Sequence, residues 1–200
     1  MNKKIDIRAI ISKESNININ FYTNDRYLGL FINHDKILNI MKFLKESEKL
    51  LFTQLIDITA IDYPKREKRF DVVYLLLSLV LNQRVLIKTS IKDNDRLESI
   101  SYIHKSANWY ERECYDLFGI EFINHPDLRR IMTDYNFEGH PLRKDFPLTG
   151  HNEVRYDQDE KRVVYEKVKL PQEYRDFDYS SPWEGFENKL IGDEKVKDEE

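Results

Sequence analysis

Between Lys36 and Leu51 the apolar residues Ile37, Ile40, Met41 and Leu44 recur at helical spacing, with Lys and Glu on the opposite face. That pattern predicts a core-packing helix beginning near Asn33, with Asn33 or Asp35 as its cap. Before it lie short alternating pieces such as "NININFYT" (16–23). The middle of the chain reads as strands. "LIDITAIDYP" (55–64) alternates until it meets a proline, and "RFDVVYLLLSLVL" (69–81) and "RVLIKTSI" (84–91) follow. The links are short: "PKREKR" (64–69) and a tight turn at "NQ" (82–83). Strands joined so briefly pair antiparallel, because a parallel pair needs a crossover of about a dozen residues. "SANWYERECYDLFGI" (106–120) predicts a second helix, with Ser106 as N-cap and Gly119 as a left-handed stop. On it Trp109, Tyr110, Cys114, Leu117 and Phe118 form the apolar side, and Glu111, Arg112, Glu113 and Asp116 the charged side.

These elements predict an α+β fold: a mainly antiparallel sheet packed with helices, followed by an extended C-terminal arm. Residues 1–150 form the α+β domain, and 153–170 read as a hairpin turning around Gln158 and Asp159. Residues 151–186 thus comprise a hairpin and an extended arm, and 187–200 a charged tail whose composition predicts disorder. In the arm, Tyr174, Phe177, Tyr179, Trp183 and Phe186 fall without helical or strand period. Either they anchor in a partner's pockets, at about 2 kcal/mol each, or the arm folds back over the sheet. Stretched out, residues 171–186 would span about 50 Å.

Composition narrows the chemistry. A net charge of −4 disfavours general affinity for nucleic acid or anionic membranes. The longest apolar run, 72–81, is about half of a membrane span, so no transmembrane segment is expected. No secretory signal is read at the amino terminus. One cysteine, Cys114, excludes internal disulfides and multi-thiolate clusters. No glycine-rich phosphate loop occurs. The excess of Ile and Asn over Ala suits an A/T-rich genome, small bacterial or organellar.

The densest cluster of reactive side chains is "HPDLRRIMTDYNFEGHPLRKDFP" (125–147), in which two His-Pro steps are each followed by Leu-Arg. His125 and His140 lack the spacing of metal ligands on one helix face, so no metal site is expected. Glu111, Glu113 and Asp116 are close enough to shift one another's pKa, but no nucleophile setting accompanies them, and they read as an ionised helix face. Arg129, Arg130, Arg143 and Lys144 are balanced by Asp127, Asp134, Glu138 and Asp145, which argues against a phosphate-binding patch. What remains is polar architecture, in which planar guanidinium forks tie carboxylates and backbone carbonyls together and hold an irregular loop rigid. No catalytic, cofactor-binding or metal residue is assigned.

"WYERECYDLFGIEFINHPDLRRIMTDYNFEGHPLRKDFPLTG" (109–150) resembles the hallmark segment of the C subunit of respiratory NADH–quinone oxidoreductase (complex I), whose mitochondrially encoded form is NADH dehydrogenase subunit 9. "EVRYDQDEKRVVYE", "SPWE" and "DITAIDYPKREKRFDVVYLLLSL" extend the resemblance to about residues 55–184. Asn136 stands where the family has Gly, and Asn also tolerates a left-handed turn. His151 stands where Tyr is commoner. The resemblance implies a core subunit of the quinone-reducing module in the peripheral arm. NADH, FMN, iron–sulfur clusters and quinone would be handled by other subunits, and electron transfer coupled to proton translocation by the whole complex. Its partners would be other peripheral-arm subunits, above all the one forming the quinone pocket. Its location would be the matrix side of the mitochondrial inner membrane, or the cytoplasmic face of a bacterial membrane. A hydrogenase-type membrane complex, or a stand-alone metal-dependent enzyme, are the other readings.

Overall fold

The computed structural model describes residues 6–15, 17, 19–23 and 27–169. Tyr174, Phe177, Tyr179, Trp183, Phe186 and the 187–200 tail lie outside them. The chain divides into two compact units, Met1–Gly150 and His151–Glu200. In the second, β8 (Asn152–Asp157) and β9 (Arg162–Lys167) form the antiparallel hairpin expected from the sequence.

In the first unit the chain runs α1 (Ile7–Glu14), β1 (Asn20–Thr23), β2 (Leu28–Phe31), α2 (Ile37–Glu46), β3 (Gln54–Asp62), β4 (Phe70–Ser78) and β5 (Gln83–Ile91). Then come β6 (Leu97–Glu98), α3 (Ala107–Phe118) and β7 (Phe122–Ile123). The sheet order is β1-β2-β5-β4-β3. β3, β4 and β5 pair antiparallel as their short links require, but β2 lies parallel to β5, so the sheet is mixed. The crossover between those two carries α2, β3 and β4 and satisfies the length a parallel pair demands.

Alternation decides the core. Phe70, Val72, Tyr74 and Leu76 on β4, with Val85, Ile87 and Ile91 on β5, are buried on one face. Ile37, Ile40, Met41 and Leu44 of α2 and Ile7 and Ile11 of α1 join the same core. Val73, Leu75, Leu77 and Leu86, on the opposite face, are only half-buried. Helix α1, in a stretch read as alternating pieces, buries just those two isoleucines, and Asp6 caps it through Ala9 N–H.

Three boundaries differ from the periodic reading. A 3-10 turn, His34–Lys36, precedes α2, and Asn33 makes no side-chain cap bond. Helix α2 stops at Glu46 rather than Leu51, because Phe52 N–H donates to Leu44 O (2.9 Å) across a turn in which Leu51 takes φ +46°. Strand β4 stops at Ser78: its hydroxyl donates to Leu50 O (2.6 Å), and the apolar Leu79 and Val80 beyond it are exposed.

Candidate functional site

Helix α3 forms where the sequence places it and ends on Gly119 at φ +77°. A Cβ there would meet the His140 ring at 2.7 Å and Arg143 at 2.8 Å, so glycine is required by space as well as conformation. Ser106 occupies the N-cap position without a side-chain bond.

The burial of its faces meets the expectation only in part: Cys114 and Phe118 are buried as apolar residues should be. Trp109, assigned to the apolar side, is 69% exposed. Glu111, Arg112 and Asp116, assigned to the charged side, are buried, and Glu113 is half-buried. The inward stripe is Ala107, Glu111, Cys114 and Phe118, with Arg112 and Asp116 flanking it. Buried charges are tolerated only where hydrogen bonds replace water, and segments distant in sequence provide those bonds.

Asp116 is the hub. Its Oδ2 accepts from three successive backbone N–H groups, Ile131 (3.0 Å), Met132 (2.7 Å) and Thr133 (2.8 Å). Its Oδ1 accepts from Arg130 (2.7 Å) and the Thr133 hydroxyl (2.6 Å). Burial alone would raise its pKa, but Thr133 and the backbone N–H groups hold the carboxyl well below the usual range. Arg130 also donates to Gly139 O (3.0 Å), and Arg112 donates to the carbonyls of Arg129 (3.1 Å) and Arg130 (3.2 Å).

The two His-Pro steps clamp the two ends of the helix. His125 Nε2 lies 3.0 Å from Asn108 O in the first turn, and its Nδ1 accepts from Asp127 N–H (3.1 Å). At the other end the last carbonyls of a helix lack intrahelical donors. Gly119 N–H serves Tyr115 O (2.9 Å), His140 Nδ1 serves Asp116 O (2.8 Å), Leu142 N–H serves Leu117 O (3.0 Å) and Arg143 Nε serves Phe118 O (2.6 Å). Burial pushes the His140 imidazole below its usual pKa, and the nearby Arg143 and Arg130 charges add to that.

A second carboxylate fastens the far end of the loop to the sheet. Asp62 accepts both Nε (2.7 Å) and Nη2 (2.8 Å) of Arg69 and also Lys144 N–H (2.8 Å). The Arg69 bonds, with that N–H, hold its pKa below the usual range. Arg69 further pairs with Asp145 (3.0 Å), and Asp93 lies 2.9 Å from Arg143. Both guanidinium groups sit 5.1 Å from the Phe70 ring centroid.

Of the remaining candidates, Asp127 and Arg129 pair with each other at the surface (2.8 Å), while Asp134 and Glu138 are exposed. Asn136 does not use the left-handed conformation it could tolerate; in this stretch Asn124 (φ +61°) and Gly139 (φ +89°) take it. The sequence reading missed Asp62, Arg69 and Thr133. Asp62 carried a signal, since alternation from Ile58 and Ala60 puts it on the buried face.

Outward, the same region presents Trp109, Met132, Tyr135, Leu142 and Leu148, all exposed. Trp109 and Met132 border a groove of about 770 Å³ with Lys105, Tyr110 and Glu113. Among the described residues no three His, Cys, Asp or Glu are grouped to hold a metal ion. No described helix is long and apolar enough to cross a membrane.

Residues 30–152 match the family described as "Respiratory-chain NADH dehydrogenase, 30 Kd subunit". The chain is 56% identical over 168 residues to the NADH-quinone oxidoreductase C subunit of a Ruegeria species, covering 84% of each chain. It is 53% identical over 186 residues to the protein of the same name from Roseobacter denitrificans, covering 93% of this chain and 94% of the other. Among solved structures, a chain of the membrane-bound sulfane sulfur reductase, an archaeal respiratory membrane complex, aligns with TM-score 0.60 and 29% identity, over 71% of this chain and 84% of that one. The segment most heavily pinned by buried carboxylates thus falls within a match spanning more than half the sequence, and the chain belongs to the family of the 30 kDa subunit of respiratory-chain NADH dehydrogenase.

Proposed function

We propose that this chain works by shape: it carries no cofactor and seats neighbouring subunits of the quinone-reducing module of NADH–quinone oxidoreductase, above all the one that forms the quinone pocket. In this reading NADH, FMN, iron–sulfur clusters and quinone belong to those neighbours. Coupling of electron transfer to proton translocation belongs to the assembled enzyme. The observation that carries the proposal is the segment 124–147, nearly devoid of regular structure, which is bound to α3 and the sheet through Asp116 and Asp62 while Met132, Tyr135 and Leu142 stay exposed. A loop built this way keeps one shape without being covered, as an assembly surface must. The likeness to a chain of an archaeal respiratory complex of different name supports a role in architecture rather than in one reaction. It also keeps open the reading as the equivalent subunit of a related membrane complex. The relatives named above come from bacteria, which favours the cytoplasmic face of a bacterial membrane over the mitochondrial matrix.

The test is complementation. In a bacterium whose own copy of this subunit has been deleted, the full chain should restore NADH–quinone reductase activity to membranes and co-purify with the other peripheral subunits. The purified chain alone should reduce no quinone. Activity of the isolated chain, or a stoichiometric metal or flavin retained by it, would overturn the proposal.

A further inference from the structure

We infer that Glu111 is an internal proton-binding site, joined to the surface groove beside Trp109 by the hydroxyls of Ser99 and Ser101. The inference is independent of the subunit's place in the complex and rests on this cluster alone. The Glu111 side chain is wholly buried. Its Oε1 accepts from Ile100 N–H (2.7 Å) and its Oε2 from Ser99 Oγ (2.6 Å), so both donors are neutral. The charged groups that could offset a carboxylate are not poised to do so. His125 Nε2 lies 3.8 Å from Oε2, but its proton is directed at Asn108 O, and Nδ1 is engaged as acceptor by Asp127 N–H. Both ring nitrogens are thus engaged in bonds that hold the His-Pro step. On the sheet, the buried Tyr74 is near enough to feel the Glu111 charge, and its hydroxyl has no hydrogen-bond partner; on α3 itself Cys114 feels it too, its thiol donating to Ile58 O (3.4 Å). Burial pushes both the phenol and the thiol up, so each stays neutral. Burial likewise raises the Glu111 carboxyl to about 7, with Ser99 and Ile100 opposing the rise.

A route to water is visible. Ser99 Oγ is 2.8 Å from Ser101 Oγ, and Ser101 lines a groove of about 440 Å³ with Tyr102, Lys105 and Trp109. A hydroxyl carries one proton and two acceptor sites. With Glu111 ionised, Ser101 donates to Ser99 and Ser99 to Oε2. When a proton enters from the groove it joins Ser101, Ser101 passes its own to Ser99, and Ser99 passes its own to Oε2. The chain then points the other way, with Oε2–H donating to Ser99 and Ser99 to Ser101. One proton is taken up and no other bond is exchanged. Oε1 stays tied to the fixed Ile100 N–H throughout.

The experiment is a titration of the full chain with its glutamate carboxyl carbons ¹³C-labelled, read by NMR from pH 4 to 9 in wild type, E111Q, S99A and S101A, with circular dichroism reporting the fold. One carboxyl should titrate near pH 7 instead of 4.5 and vanish in E111Q. S99A removes a donor to the ionised form and should move that midpoint upward. S101A should leave the midpoint in place while slowing proton exchange at the late carboxyl. Should E111Q not fold, the upward shift in S99A still assigns the resonance. All glutamates titrating together, or a late one untouched by both E111Q and S99A, would overturn the site; unaltered exchange in S101A would overturn the route.

Discussion

Two carboxylates on one helix, little more than a turn apart and both fully buried, are driven in opposite directions. Asp116 meets three backbone N–H groups, a hydroxyl and a guanidinium, and its charge is held. Glu111 meets one N–H and one hydroxyl, and its charge is penalised. Burial is common to the two; the number and fixity of donors differs. A buried charge is thus an organiser only where the backbone itself is arranged around it.

Breaking the stronger case should have the largest effect. Asp116→Ala leaves Arg130 and three N–H groups without their acceptor, and loss of one member of a buried charged pair costs about 3–5 kcal/mol. Urea unfolding of the full chain would measure it, and the loop 124–147 should become susceptible to protease. The pH dependence has a defined sign. The folded pKa lies below the unfolded one, so the contribution is complete above the ordinary carboxylate range and is lost as pH falls through and beyond it.

The opposite sign sharpens the comparison at Glu111. Its folded pKa is raised, so its contribution is complete below 4.5 and is lost as pH rises to about 7. The stability of wild type minus that of Glu111→Gln should therefore fall across this window by about 3 kcal/mol, at about 1.4 kcal/mol per pKa unit. Because other titrating groups are common to both proteins, the difference isolates Glu111. A flat difference curve would mean that the two carboxylates are alike after all.

Next in size is Gly119→Ala. A left-handed conformation costs an L-residue about 1–2 kcal/mol, and the added Cβ would displace the His140 and Arg143 side chains that cap the helix. The unfolding midpoint should drop, and Gly119→Asn should drop less on the conformational term alone, since Asn tolerates that region better.

Much of this architecture was legible in the sequence. The strands announced themselves through two-residue alternation, and α3 through its period and its terminal glycine. The inward face of α3 was legible only in part, through the apolar Cys114 and Phe118. Trp109 looks like core and Glu111 and Asp116 like surface until the donors are known, and those come from residues 99–100 and 130–133, outside any local pattern. The same holds for the parallel β2–β5 pair, which depends on where a long crossover returns. Helix α1 was missed because two buried isoleucines in eight residues carry little periodic signal.

The smallest effect belongs to adjacent arginines that the sequence cannot tell apart. Arg130 reaches inward to Asp116, Thr133 and Gly139 O, whereas Arg129 lies at the surface and its guanidinium pairs with Asp127 two residues away. An exposed pair of this kind gains little because water and salt screen it and two long side chains must be ordered. Arg129→Ala should leave the urea midpoint of the full chain unchanged, while Arg130→Ala lowers it and loosens the loop. If the two variants were equally damaging, the distinction between donors that organise a buried charge and donors that merely decorate the surface would fail at the one place where neighbouring, chemically identical side chains put it to the test.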